Sequence, residues 1–522
     1  MSDLMRRKAL LGSLLLAGAL ALPACSGSSG GGGHAGTSGP AGAGAAGVGA
    51  AGAGAAGMGA AGAGSGGDAT GGAGTGASAG TGAGGSAPDG GAGAVPTGAG
   101  GSAGGGAGGA SGAAGGATGG APACPAALPA PTGATIDVRP PATLAAALAT
   151  AKAGDRIVLH AGTYAMEKIS KRGFASTVFI EAAAGEAVSV PGVTFTSSDH
   201  IAISGVTFTA TVMLDGSSSF TFTKVVLDGG ATENAALQIH GQSSAGPSAD
   251  ITVQDSTIKG GGRTIFVLGV FAPSPGWNHG LDFLRNDITC GSHNCFQISG
   301  GRDMVIADNR INGTTTAGVL TAGATRVSIT RNRFVGTPGM SPCATQIASP
   351  GMEWDNYAGV ENMISSEIII SNNVADGWAS FVQLDAARDV AIVYDTVADG
   401  KGVVFDHRVP HDQKGNVVLD GNSDIRIWNS VLPTINPGDQ PPAFFSNNVV
   451  WKGGGTGGTA NVTTAPTFDP ASKDFALASG SVGIDGALVN AETPLVDFDD
   501  RPRGAKPDLG ALELGAGAPV CP

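Results

Sequence analysis

Three asparagines constrain this chain more than any other feature. Asn286, Asn309 and Asn332 lie 23 residues apart, each between two β-rich runs, as in Leu284-Arg-Asn286-Asp-Ile288 and Thr330-Arg-Asn332-Arg-Phe334. A fixed period with one polar residue at one place predicts a coiled solenoid, with like side chains stacked at a corner. An amide carries both donor and acceptor, so a stack of amides can satisfy itself and the backbone around it. Asn also tolerates the left-handed backbone such a corner is expected to need. The ladder is expected to continue at Asn372, Asp395, Asn429 and Asn447.

Short β runs recur on either side of the ladder. One series contains Ile201-Ala-Ile203, Phe220-Thr-Phe222, Ile251-Thr-Val253, Met304-Val-Ile306, Val327-Ser-Ile329, Ile368-Ile-Ile370, Val390-Ala-Ile392 and Ile425-Arg-Ile427. A second series precedes it in each coil: Leu237-Gln-Ile239, Phe266-Val-Leu268, Phe296-Gln-Ile298, Val382-Gln-Leu384 and Val403-Val-Phe405. Strand side chains alternate. If Ile239, Leu268, Ile298 and Leu384 point inward, then Gln238, His240, Gln297, Ser299, Gln383 and Asp385 point outward from one sheet. Asp406 and Arg408 extend that face if Phe405 points in. A polar row at the repeat spacing suits an extended sugar chain.

The ends of the folded region have their own patterns. Thr143-Leu-Ala-Ala-Ala-Leu148 continues to Lys152 as a helix former, and Gly154-Asp155 stops it before the strand Arg156–Leu159. A lone amphipathic helix there would cover the open edge of a first coil. With Gly162-Thr-Tyr164, this segment resembles the opening of the right-handed parallel β-helix superfamily, the fold of pectate lyases and related polysaccharide lyases. Gly480-Ser-Val-Gly-Ile484-Asp485, Asp497-Phe-Asp499-Asp500-Arg-Pro502-Arg503 and Asp508-Leu-Gly510-Ala-Leu-Glu513 are similar to the closing segment of many secreted bacterial β-helix proteins. Asp500 departs from the usual glycine. The resemblance spans about residues 134–515. It implies an all-β right-handed parallel β-helix with an N-terminal capping helix, over residues 124–522.

The first quarter of the chain is different in kind. Arg6, Arg7 and Lys8 precede an apolar run, Ala9 to Leu22, that is short for a membrane span. Leu22-Pro23-Ala24-Cys25 follows, and the whole resembles a bacterial lipoprotein signal. That resemblance implies cleavage after residue 24 and lipidation of Cys25. With Ser26 next, it also implies a place at the outer membrane or cell surface. Residues 25–122 are nearly all Gly, Ala, Ser and Thr and cannot bury a core. They are expected to form a disordered tether with an r.m.s. span of roughly 50–60 Å. The chain would then meet the membrane through the lipid alone.

Charge narrows the partners. Of 41 acidic and 28 basic side chains, only Asp3, Asp68, Asp89, Arg6, Arg7 and Lys8 precede Cys124, so the remaining region keeps the full net charge of −13. Such a surface repels nucleic acid and anionic lipid. It also disfavours acidic polysaccharide unless basic groups cluster or a cation bridges. The expected partner is an extracellular polysaccharide, met by a monomer.

The ladder also marks where coils are interrupted. Its spacing widens between Ser256 and Asn286, between Asn332 and Asn372, and between Asp395 and Asn429. The first extra segment carries Arg263, Trp277 and His279. The second carries Cys343, Glu353, Trp354, Asp355 and Tyr357. The third carries His407, Arg408, His411, Asp412 and Lys414. Loops on a regular scaffold commonly carry function, and Trp354 offers a flat face to a sugar. Eliminating a uronate needs its carboxylate neutralised, a base at C5 and an acid at the leaving oxygen. His407, Arg408 and His411 are the candidate catalytic groups, with Asp385 and Asp406 as Ca²⁺ ligands. Asp385 and Asp406 are also the formal carboxylate pair for hydrolysis. A non-catalytic glycan-binding or adhesion protein would use the same face.

Six cysteines are present. Beyond Cys25, five remain in an oxidising setting, so at least one is expected to lack a partner. The short turn Cys290-Gly-Ser-His-Asn-Cys295 can close a small disulfide loop.

Overall fold

The computed structural model describes residues 128–231, 235–241, 245–269, 277–313, 317–348, 364–407, 409, 417, 419–438, 444–453 and 458–520. The signal, Cys25 and the Gly/Ala-rich tether lie outside the described residues. Apart from helix α1 (Leu144–Thr150), the named elements are strands, and all pair in parallel. They stack in three rows. Row A includes Leu237–His240, Ile265–Leu268, Cys343–Ala348, Ser380–Asp385 and Lys401–Asp406. Row B includes Ala249–Gln254, Asn278–Leu284, Ser366–Ser371, Arg388–Val393 and Ser423–Trp428. Row C is a separate sheet of short strands such as Asp287–Thr289, Arg310–Asn312 and Arg333–Val335. Phe296–Ala307 and Ala317–Thr330 run through rows A and B without a break.

The chain is therefore the parallel β-helix that its repeat predicts. Inward positions hold Ile, Val, Leu and Phe in register from coil to coil. Ile251, Leu281, Met304, Val327, Ile368, Val390 and Ile425 follow one another along row B. Phe220, Phe283, Phe296, Phe334 and Phe381 are fully buried, and Phe283 meets Phe296 edge to face at 5.1 Å. Burying such side chains contributes about 2 kcal/mol each.

The amide ladder runs along the corner between rows B and C. The backbone N–H of Asn286 donates to Asn309 Oδ1 at 2.9 Å, that of Asn309 to Asn332 Oδ1 at 3.0 Å, and that of Asn332 to Asn373 Oδ1 at 2.9 Å. Each Nδ2 donates to the next amide oxygen and to a carbonyl of the preceding coil, such as Phe283 for Asn309. Asp395 is the next rung, followed by Ser430, Asn448 and Asn461.

Two expectations are corrected here. Asn372, Asn429 and Asn447 are not rungs; each stands one residue before a rung. They share left-handed backbone with Asp255, Arg285, Asp308, Arg331 and Tyr394. The left-handed position is therefore the residue before the ladder, not the ladder itself. In the earlier coils it carries charge pairs: Arg285 binds Asp255 bidentately at 2.7 and 2.9 Å, and Arg331 binds Asp308 at 2.7 and 2.8 Å.

The N-terminal end is closed by α1. Leu144 and Leu148 of α1 are buried against the first coil. The Glu167 carboxylate accepts the free N–H groups of Leu144 and Ala145 at 2.8 and 2.6 Å, where the helix dipole favours an anion. The tail packs back on the outward Asn residues. Arg503 lies over the Tyr394 ring at 4.2 Å, pairs with Glu513 at 3.3 Å and donates to Asn372 Oδ1 at 2.7 Å. Asp500 has left-handed backbone, which explains why glycine is usual there, and its carboxylate lies 3.2 Å from Arg331 Nε. Cys290 and Cys295 form a disulfide, as their spacing allows. Cys343 is also disulfide-bonded, and among the described residues no cysteine is free.

Asp395 stands where its neighbours are amides. Its Oδ1 accepts from the Asn373 backbone and side chain, while Oδ2 has no hydrogen-bond partner among the described residues. Burial pushes its carboxyl up to about 8. The acid form resembles an amide, because its hydroxyl can donate where Nδ2 would. The unfolded chain releases this proton near the ordinary value of 3.8, so stability falls as pH rises from there through about 8. We expect Asp395→Asn to raise stability at pH 7 by roughly a few kcal/mol and to flatten that slope. Urea unfolding across the pH range measures both.

Candidate functional site

The outer face of row A carries the sequence-predicted site, with changes in register and burial. Across successive coils its first column reads Gln238, Phe266, Gln297, Leu320, Gln346, Gln383 and Val404. The second column reads His240, Leu268, Ser299, Ala322, Ala348, Asp385 and Asp406. Val267 faces the core, so Leu268 points outward, contrary to expectation. The polar row is not continuous. Phe266 with Leu268, and Leu320 with Ala322, divide it into three polar groups.

Nor is it a solvated face. Gln297 and Asp385 are each 1% exposed and Ser299 is fully buried. Buried polar groups need partners. Arg263 supplies one for Gln297 Oε1 and lies 5.1 Å over the Phe266 ring. His240 has a different environment. Its Nε2 has no hydrogen-bond partner among the described residues, its ring meets Phe266 edge-on at 5.7 Å, and burial lowers its pKa to about 4.

The third polar group is a junction of four side chains. Gln346 Nε2 donates to Asp385 Oδ2 at 2.6 Å. Gln383 Nε2 bridges Asp385 Oδ1 at 3.3 Å and Asp406 Oδ2 at 2.6 Å. Two carboxylates are thus held side by side by two amides. A half-turn of either amide would present its oxygen instead, giving an all-oxygen set of the kind Ca²⁺ takes. His407 follows Asp406, is exposed, and places Nε2 3.2 Å from Asp420 Oδ1. Arg408, His411 and Trp354 lie outside the described residues.

The three interruptions share one edge. Each leaves the coil at the end of a row A strand and re-enters before row B. Each is pinned at its base by a side chain on its return limb. Asn278 Nδ2 donates to the carbonyl of Leu268 at 2.8 Å, Ser365 Oγ to that of Ala348, and Asn422 Nδ2 to that of Asp406 at 3.0 Å. Cys343 belongs to a row A strand and not to the interruption, contrary to expectation.

Gln346, Asp420 and the pins Asn278, Ser365 and Asn422 were not among the sequence candidates. Gln346 had a signal. Thr345-Gln-Ile347 repeats the pattern of Leu237-Gln-Ile239, Phe296-Gln-Ile298 and Val382-Gln-Leu384.

Comparison with known proteins agrees on architecture. Residues 191–346 match a family model described as a right handed beta helix region. No curated protein matches the chain. Similar solved structures include pectate lyase Pel9A, at 15% identity over 74% of this chain and 97% of that one, with a TM-score of 0.42. The PL6 family alginate lyase AlyGC is 14% identical over 71% of this chain and 60% of that one, with a TM-score of 0.42. XylC in complex with xylose is 11% identical over 73% of this chain and 98% of that one, with a TM-score of 0.44.

The low His240 pKa fixes the direction of an acid effect. The unfolded chain takes up a proton near 6.5 that the folded chain refuses until about 4. Stability present above 6.5 is lost as pH falls toward 4. Replacing the ring by His240→Leu is expected to flatten that acid limb in thermal unfolding, and an NMR titration should find the imidazole neutral at pH 6.

Proposed function

We propose that the folded domain is held outside a bacterial cell by a lipid on Cys25 and acts there on an extracellular polysaccharide along row A. The observation that carries this reading is the Gln346–Gln383–Asp385–Asp406 junction, at the edge where all three interruptions leave the coil. Carboxylates clustered beside an exposed histidine suit elimination from a uronate chain. Asp385 and Asp406, with the amide oxygens of Gln346 and Gln383 turned inward, would hold Ca²⁺. The ion would supply the positive charge that an acidic substrate needs on a chain of net charge −13. His407 is the base for the C5 proton, oriented by Asp420, with Arg408 and His411 as further candidates for proton transfer and charge neutralisation.

A second reading is a non-catalytic glycan-binding surface protein. It is favoured by the closed state of the junction, in which amide donors already occupy both carboxylates.

The full chain should be incubated with pectate, alginate and glycosaminoglycans, with and without Ca²⁺, while unsaturated uronate absorbance is followed. Elimination predicts a Ca²⁺-dependent rise that falls about 100-fold or more in Asp385→Asn and in His407→Ala. Saturable binding without product identifies the binding protein instead. If no polysaccharide is bound or cleaved, both readings fail.

A further inference from the structure

A pocket of about 580 Å³ opens on the outer face of row B, lined by Ser366, Glu367, Arg388, Asp389, Asp424, Arg426 and Phe444. It lies around the corner from the carboxylate junction, because only Ala386 and Ala387 separate Asp385 from Arg388. We infer that this pocket binds a neutral sugar unit, stacked on Phe444 and hydrogen-bonded by Arg388, Asp424 and the edge of Arg426.

The charge pattern selects the ligand class. Arg426 is committed on one side, 2.7 Å from Asp389 and 3.4 Å from Glu492 of the tail. Its Nε is buried and has no hydrogen-bond partner among the described residues. Arg388 and Asp424 take part in no ion pair among the described residues and are exposed. Two guanidiniums stand among three carboxylates, so a free anion meets the carboxylates and a metal cation meets the guanidiniums. A hydroxyl both donates and accepts, so a polyol can use the two kinds of group together. Planar guanidinium and carboxylate groups also match pairs of adjacent hydroxyls.

The apolar side of a pyranose needs a flat partner. Phe444 is 44% exposed, unusual for a ring on an otherwise well-filled sheet. Trp428 holds it edge-on at 6.0 Å and 76°. Phe444 stands beside Arg426 in register, and Ala391 and Ile369 continue the same outward line. The ring, the guanidinium and a small apolar floor therefore follow one another at the coil spacing, about 4.8 Å per step. That spacing approaches the repeat of a sugar chain, and the arrangement does not depend on any chemistry at row A.

The test is calorimetric titration of the full chain with cello-, xylo-, malto- and laminari-oligosaccharides. At least one series should bind saturably. Phe444→Ala and Arg388→Ala should each weaken it about tenfold, the scale of one lost ring or charged contact. Phe444→Tyr should restore binding and so show that the variants are folded. Asp385→Asn should leave the affinity unchanged, which separates this pocket from row A. The inference is overturned if none of the four series binds, if Phe444→Ala binds as the parent does, or if Asp385→Asn abolishes binding.

Discussion

Backbone satisfaction at the corners is the constraint on which the rest depends. Inside a row, each strand finds its partners in the coils above and below. At a corner the chain turns, and its N–H and C=O groups must find side chains. The B–C corner uses the amide ladder from Asn286 to Asn373, with Ser256, Asp395 and Ser430 as variants. The A–B corner uses a second, looser set. Ser217, Ser248 and Asn278 receive the backbone N–H groups of Ser198, Ser217 and Ser248. Further along, Ser365 and Asn422 receive those of Gly323 and Ala387.

The second set explains why the coil can be interrupted there without coming apart. Asn278, Ser365 and Asn422 bond across the base of the three excursions to the last carbonyl of row A. Extra residues then enter the chain at little cost to the coils, since loop-closure entropy grows slowly with length. The B–C corner has its charge pairs on the outside and the tail packed over its later coils. Insertion there would cost both. The scaffold therefore directs variable sequence to the edge that carries Asp385, Asp406 and His407.

Much of the fold was legible because its signal is periodic. Asn286, Asn309 and Asn332 gave the coil length, and alternation placed Gln238, Gln297 and Gln383 on the outer face. The errors occurred where periodicity was ambiguous. Asn372-Asn373 and Asn447-Asn448 each offer two candidates for one rung, and only the left-handed backbone of the first decides between them. In Ile265-Phe-Val-Leu268 every residue is apolar, so no alternation reveals which face is inward. The charge pairs had a signal of their own. Arg285, Asp308 and Arg331 recur with the ladder, one residue ahead of it. Burial of the outer row was not legible, because it depends on what lies over the coils, and no local pattern reports that.

The central claim is that buried amides at the B–C corner hold the coils in register. Equilibrium urea unfolding of Asn309→Ala tests it most directly. The substitution takes the Oδ1 acceptor from the backbone N–H and one side-chain N–H of Asn286, and the Nδ2 donor from the carbonyl of Phe283. A loss of about 3 kcal/mol or more is predicted, well beyond that of an exposed polar residue. A stability within about 0.5 kcal/mol of the parent would contradict the account.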